Sequence, residues 1–270
     1  MNNINPIGVF DSGVGGLSVL HQIRKLLPHE DLHYIADSAH APYGTKSREI
    51  VEQRSIMLSR FFMEKNVKAV VVACNTATAV AISTLRSIFT LPIIGMEPAV
   101  KPAAEMTRAG IIGVMATERT LESRKFTRLI EQFATDSKVI EQPCPGLVEL
   151  VEKGKLSGDK TRATVKKYLC PLLERGADTI VLGCTHYPFL IPIIREITGP
   201  DVSIIDTGAP VSLELRRRLE NENILSKNDS PGEEIFWTSG PQTEARKLIS
   251  RLWNNSVLKF MLRTICTWDS

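Results

Sequence analysis

Two heptapeptides 110 positions apart share one design. Val70-Val-Val-Ala-Cys-Asn-Thr76 and Ile180-Val-Leu-Gly-Cys-Thr-His186 are each a short apolar run closed by a cysteine and two polar residues. Four apolar residues without polar alternation leave no solvent face, so each run reads as a strand buried inside a parallel sheet. A fainter echo, Ile7-Gly-Val-Phe10 and Ile112-Gly-Val-Met115, recurs in the same order 105 positions apart. One echo would be chance. Two at nearly the same offset imply two α/β units related by pseudo-symmetry.

The remaining pattern agrees. Strands are expected at Ile7–Phe10, Leu32–Ala36, Lys68–Ala73, Ile111–Met115, Thr179–Gly183, Ser203–Ile205 and Glu234–Trp237. Between them, helical spacing marks Gly16–Leu27, Ser47–Lys65, Ala77–Ile88, Thr120–Phe133, Asp159–Glu174, Val211–Glu220 and Pro241–Trp253. Alternating β and α elements predict an α/β fold of two pseudo-symmetric doubly wound domains, with the active site in the cleft between them. Pro92, Pro98 and Pro102 punctuate one crossing and Gly208-Ala-Pro210 the other. The first domain is therefore expected at 1–96 plus 208–255 and the second at 97–207, with 256–270 a tail of unknown role.

Composition narrows the partners. Lys plus Arg number 33 against 30 Asp plus Glu, a net charge of +3 that argues for no polyanion. Arg216-Arg-Arg218 and Lys166-Lys167 lie on expected helices. Glu214 and Glu220 flank the arginines in the manner of a solvated charged face, so no nucleic acid partner is expected. The first residues have neither a basic n-region nor an apolar h-region, and no apolar stretch is long enough for a bilayer. The expectation is a cytoplasmic protein with no membrane partner; a homodimer is compatible with it. Five cysteines, an odd number without a C-x-x-C pair, argue against a disulfide framework or a zinc ribbon. No metal and no cofactor are expected.

In open parallel sheets ligands bind beyond the carboxyl ends of the strands. Four such points carry polar residues: Asp11 to Gly16, Asp37 through Tyr43-Gly44, Cys74-Asn75-Thr76 and Cys184-Thr185-His186. A lone cysteine there is usually a small buried hydrophobe, and Cys144, Cys170 and Cys266 keep that reading. Cys74 and Cys184 differ because both sit where the chain leaves a sheet, at the N-terminus of a following helix expected to lower a thiol pKa. Two thiols from mirrored units suit a racemase: one thiolate removes an acidic C–H proton from one face and the opposite thiol protonates the other. A dithiol redox enzyme would place its sulfurs close in sequence. An acid near Cys74, such as Asp11, and an imidazole near Cys184, His186, could move protons or hold an amino acid's charged groups. His21, His29, His33 and His40 read as structural or exposed.

A dinucleotide enzyme is the rival, since Gly13-x-Gly15 and Asp37 imitate its fingerprint. Ser18 stands where that turn requires a small glycine or alanine, and Asp11 would bring negative charge toward a pyrophosphate. A basic binding module is the non-enzyme alternative, and the paired charges speak against it.

Asp11-Ser-Gly-Val-Gly-Gly-Leu-Ser, Asp37 with Pro42-Tyr-Gly-Thr, Ala73-Cys-Asn-Thr-Ala and Leu182-Gly-Cys-Thr-His-Tyr-Pro resemble the motifs of bacterial glutamate racemases, in order and spacing, over about residues 6–220. The resemblance implies cofactor-independent interconversion of L- and D-glutamate by two bases, supplying D-glutamate for peptidoglycan. It implies that Cys74 acts on D-glutamate and Cys184 on L-glutamate, assisted by Asp11 and His186, with Glu152 a further acid beside His186. Substrate contacts would come from Asp11, Ser12, Tyr43, Gly44, Asn75, Thr76, Thr185 and His186, with Thr117 nearby. An aspartate substrate is the alternative within the same reading. The tail beyond about 254 matches no pattern of that family.

Overall fold

The computed structural model describes residues 4–253 and the backbone of 261–264. Its strands are β1 (Ile7–Asp11), β2 (Leu32–Ala36), β3 (Ala69–Val72), β4 (Ile93–Ile94), β5 (Ile111–Ala116), β6 (Lys138–Pro143), β7 (Thr179–Leu182), β8 (Ser203–Ile205), β9 (Glu234–Thr238) and β10 (Met261–Thr264). They form two wholly parallel sheets, ordered β10-β9-β2-β1-β3-β4 and β6-β5-β7-β8. Without β9 and β10 the first sheet has the order of the second, strand for strand. The echoed strands are the central pairs: Val9 lies opposite Val71, and Val114 opposite Val181.

Several elements escape the sequence pattern for physical reasons. β6 is an edge strand with Lys138 and Glu141 exposed and only Ile140 buried, so it has no apolar run to reveal it. The single helix expected at Thr120–Phe133 is two, Glu118–Leu121 and Arg124–Phe133. Each has its own cap: Thr117 accepts from Thr120 N–H, and Ser123 from Phe126 N–H. Helices Val100–Met106, Leu147–Glu152 and Ile191–Thr198 were not anticipated; they run only six to eight residues, too short to establish a period. Leu147–Glu152 follows Gly146, whose φ of 87° suits a residue without a Cβ. Part of the tail has a place after all. β10 lies within it and pairs with β9, while 254–260 and 265–270 are outside the described residues.

Alternation along each central strand divides the core. Ile7, Val9 and Val71 from the first sheet and Ile180 and Leu182 from the second join one continuous buried cluster, together with helix residues such as Leu20, Leu172 and Leu215. Phe10, Val70 and Val72 face the opposite way, and so do Ile112, Val114 and Val181. Helix Arg48–Glu64 covers the outer face of the first sheet with Val51, Leu58 and Phe62. The Phe62 ring lies so close over Gly8 that a Cβ there would meet it at 2.7 Å. Phe62→Ala should therefore cost about 3–5 kcal/mol of stability, read as a lower urea midpoint at unchanged slope.

Candidate active site

The strands that carry the sequence echoes all stop at one cavity. β1 ends in Asp11 and leads to Ser12, β3 leads to Cys74, β5 to Thr117 and β7 to Cys184. The cavity is lined by Ser12, Pro42, Tyr43, Gly44, Cys74, Asn75, Thr76, Thr117, Val148, Gly183, Cys184, Thr185 and His186. Among the residues expected from sequence, Asp11 and Glu152 do not line it; they stand directly behind residues that do. The enclosed space is about 10 Å³, the room of about one water. An amino acid fits only if the walls separate.

On one side, Cys74 caps helix Asn75–Ile88, its Sγ 3.5 Å from Ala77 N–H and 3.9 Å from Ser12 Oγ. Asp11 lies fully buried beneath. Its Oδ2 accepts from Gly16 N–H at 2.8 Å and from Thr185 Oγ1 at 3.2 Å, and its Oδ1 accepts from Ser12 Oγ at 3.3 Å. Burial raises the Asp11 carboxyl above the usual carboxylate range against the opposing pull of His186. The expected lowering of the Cys74 thiol by the helix N-terminus does not hold. Burial, reinforced by the neighbouring Asp11, pushes Cys74 well above the ordinary thiol value, and the Ala77 N–H offsets only part of this.

On the other side, Cys184 leads into a 3₁₀ turn, Tyr187–Leu190, and no α-helix begins directly behind it. Its partner is instead His186, whose Nδ1 is 3.8 Å from Sγ. His186 Nε2 donates to Glu152 Oε1 at 2.6 Å, and the same oxygen accepts from Val14 N–H at 2.7 Å. Burial alone would discharge this imidazole, yet hydrogen bonds to Cys184 and Glu152 outweigh it and hold its pKa well above the ordinary histidine value.

The glycine-rich turn takes its composition from this contact. A Cβ on Gly13 would lie 1.9 Å from Glu152 Oε1, and one on Gly15 would lie 2.2 Å from His186 Nδ1. The glycines admit side chains of the other sheet's unit; Asp11, at the mouth of the turn, receives Gly16 N–H, the donor a pyrophosphate would need. Ser18, anomalous for a dinucleotide turn, donates to Thr185 O at 2.9 Å and ties the turn to the opposite strand end.

Asn75 lines the cavity, and both its amide atoms are buried without a hydrogen-bond partner in the protein. Thr76 Oγ1 lies 3.0 Å from Thr117 Oγ1 and 3.3 Å from Thr120 Oγ1, a hydroxyl cluster that joins the two units. Tyr43 is fixed from behind: its hydroxyl donates to Asp37 Oδ2 at 2.6 Å, and Arg54 grips the same carboxylate at 2.7 and 3.0 Å. Hydrogen bonds and charge from Arg54 overcome burial and keep Asp37 below the usual carboxylate range. Sequence reasoning missed Thr120, Val148 and Arg54. For Val148 a signal existed, since it sits four residues before Glu152 on one helix and so shares its face.

A family model described as Asp/Glu/Hydantoin racemase matches residues 7–210. The chain belongs to that racemase family. It is an enzyme, an isomerase. Glutamate racemase of Methylococcus capsulatus is 53% identical over 93% of this chain and 93% of its own. That of Stutzerimonas stutzeri is 51% identical over 94% and 97%. Among solved structures, glutamate racemase isoform RacE1 of Bacillus anthracis superposes with a TM-score of 0.88 at 33% identity, covering 98% of each chain. The Francisella tularensis glutamate racemase, solved in complex with D-glutamate, gives 0.84 at 30% identity, covering 97% of this chain and 98% of its own.

Two outcomes follow for this racemase. Gly15→Ala should drive the imidazole of His186 off Cys184 and lower kcat about 10²-fold, the scale of a misplacement near 1 Å, while circular dichroism stays native. The His186–Glu152 pair also has a pH signature. A raised histidine pKa stabilises the fold fully below about pH 6.5, and the contribution disappears as pH rises through the folded-state value. Glu152→Gln should shift the His186 NMR titration to lower pH, and its stability deficit against the parent should shrink in alkaline solution.

Proposed function

We propose that the chain interconverts L- and D-glutamate without a cofactor, with Cys74 and Cys184 as the two bases. The observation that supports this most directly is that both thiols line one cavity from equivalent strands of opposite sheets, each backed by its own proton-handling group. Glutamate as the substrate rests on the four relatives described above, each named glutamate racemase, and on the D-glutamate bound to the Francisella protein. Cytoplasmic supply of D-glutamate for peptidoglycan follows from the same kinship; among the described residues no helix is long and apolar enough to cross a membrane.

From L-glutamate, the thiolate of Cys184 takes the α-proton, forming an S–H bond as the Cα–H bond breaks. The Cys74 thiol then donates its proton to the opposite face of the carbanion. The reverse reaction exchanges these roles. His186, held as imidazolium by Glu152, is the counter-charge for Cys184 when it is a thiolate. Asp11, raised by burial, receives or returns the Cys74 proton. Asn75, Thr76, Thr185, Ser12, Tyr43, Gly44 and Thr117 supply hydrogen bonds to the ammonium and the two carboxylates.

Replacing Cys74 or Cys184 by Ala should each lower racemisation by at least about 10²- to 10⁴-fold, whereas Cys144→Ala should leave most of it. In heavy water, deuterium should appear at Cα of product from the first turnovers while unconverted substrate keeps its proton. Near-normal activity in either strand-end variant, or solvent label entering substrate as fast as product, would contradict two opposed bases.

A further inference from the structure

A second cavity, of about 690 Å³, opens beside the catalytic one and shares no lining residue with it. Its walls are the start of helix Arg48–Glu64, the outward side of helix Asn75–Ile88, and the segment from Arg119 to Arg128. Arg48, Arg119, Arg124, Lys125 and Arg128 all line it, against one lining carboxylate, Glu122. Among the described residues none of the five cations is in an ion pair. Of the acids at the edge, Glu52 accepts from the Thr84 hydroxyl, and Glu49 is lowered by hydrogen bonds from its own backbone and Ser47, with the charges of Arg119 and Arg48 adding to this.

Exposed charges of one sign commonly splay into water, but Arg119 is only partly exposed. The Arg119 Nε is shut off from solvent and has no hydrogen-bond partner, although a buried guanidinium donor is costly to leave unpaired. Burial, with Arg86 and Arg128 adding like charge, also holds Lys125 below the usual lysine range despite Glu97. The five cations outnumber Glu122, Glu49 and Glu52 together, whereas a phosphate brings about two negative charges and several acceptor oxygens. Arginine forks match that geometry in bidentate pairs. The five cations line one recess of the size that small ligands occupy.

We propose that this recess binds a small phosphorylated anion, with Arg119 as the central ligand and Arg48, Arg124 and Arg128 around it. Inorganic pyrophosphate is the probe, titrated into the full chain by calorimetry at constant ionic strength. Saturable binding at one site is expected, and Arg119→Gln should weaken it about tenfold or more, as loss of a charge-assisted bond does. Arg124 and Arg128 are exposed on their helix, so Arg124→Gln with Arg128→Gln tests the same site without touching the core. Both variants are checked for native melting. Absence of saturation, or affinity unchanged in the double variant, would overturn the proposal. So would a DNA duplex that binds through these arginines, with steep salt dependence, where pyrophosphate does not.

Discussion

One carboxylate oxygen holds the site in register. Glu152 Oε1 receives both the Val14 N–H from the turn after β1 and His186 Nε2 from the loop after β7. It thus fastens a strand end of the first sheet to one of the second. The acceptor is partly buried and both donors point at it, a geometry in which charge-assisted hydrogen bonds are strongest. Everything else at the cleft accommodates this contact. Gly13 and Gly15 lack side chains because Glu152 and His186 occupy that space, and Ser18 and Asp11 add two further bonds to Thr185 across the same seam.

The two thiols inherit different surroundings from a nearly symmetric scaffold. Cys74 sits over a buried acid and at a helix N-terminus, and burial together with that acid keeps its proton on. Cys184 sits beside a histidine whose own charge is secured by Glu152. The symmetry of strand order therefore positions the sulfurs as a pair, while the asymmetry of their neighbours gives each a separate proton partner. The two-base reaction proposed above needs the first property, and in that proposal proton exchange with solvent between turnovers uses the second.

The cavity between the thiols is smaller than an amino acid, and one continuous buried cluster takes in residues of both sheets. At the rim Tyr43-Gly44 meets Thr117: a Cβ on Gly44 would lie 2.7 Å from Thr117 Cβ, so the rim is tightly packed. Asp37 and Arg54 brace Tyr43 from behind and fix that side of the rim.

Much of this was legible in the chain because it is local. Apolar runs closing in Cys-Asn-Thr and Cys-Thr-His reveal buried parallel strands with reactive ends, and their repetition reveals two units, since burial on both faces and the period of a strand are written in consecutive residues. The edge strand β6 and the short helices were not legible, because an edge needs no apolar run and six residues hold no helical period. The glycine-rich turn was visible but its purpose was not: the atoms that require glycine at 13 and 15 come from Glu152 and His186, more than a hundred residues away. The state of Cys74 was likewise decided only on folding. Its place at a helix N-terminus points to a lowered thiol pKa, and burial beside Asp11 reverses the sign. Local chemistry selected the residues; desolvation and contacts between distant segments set their charges.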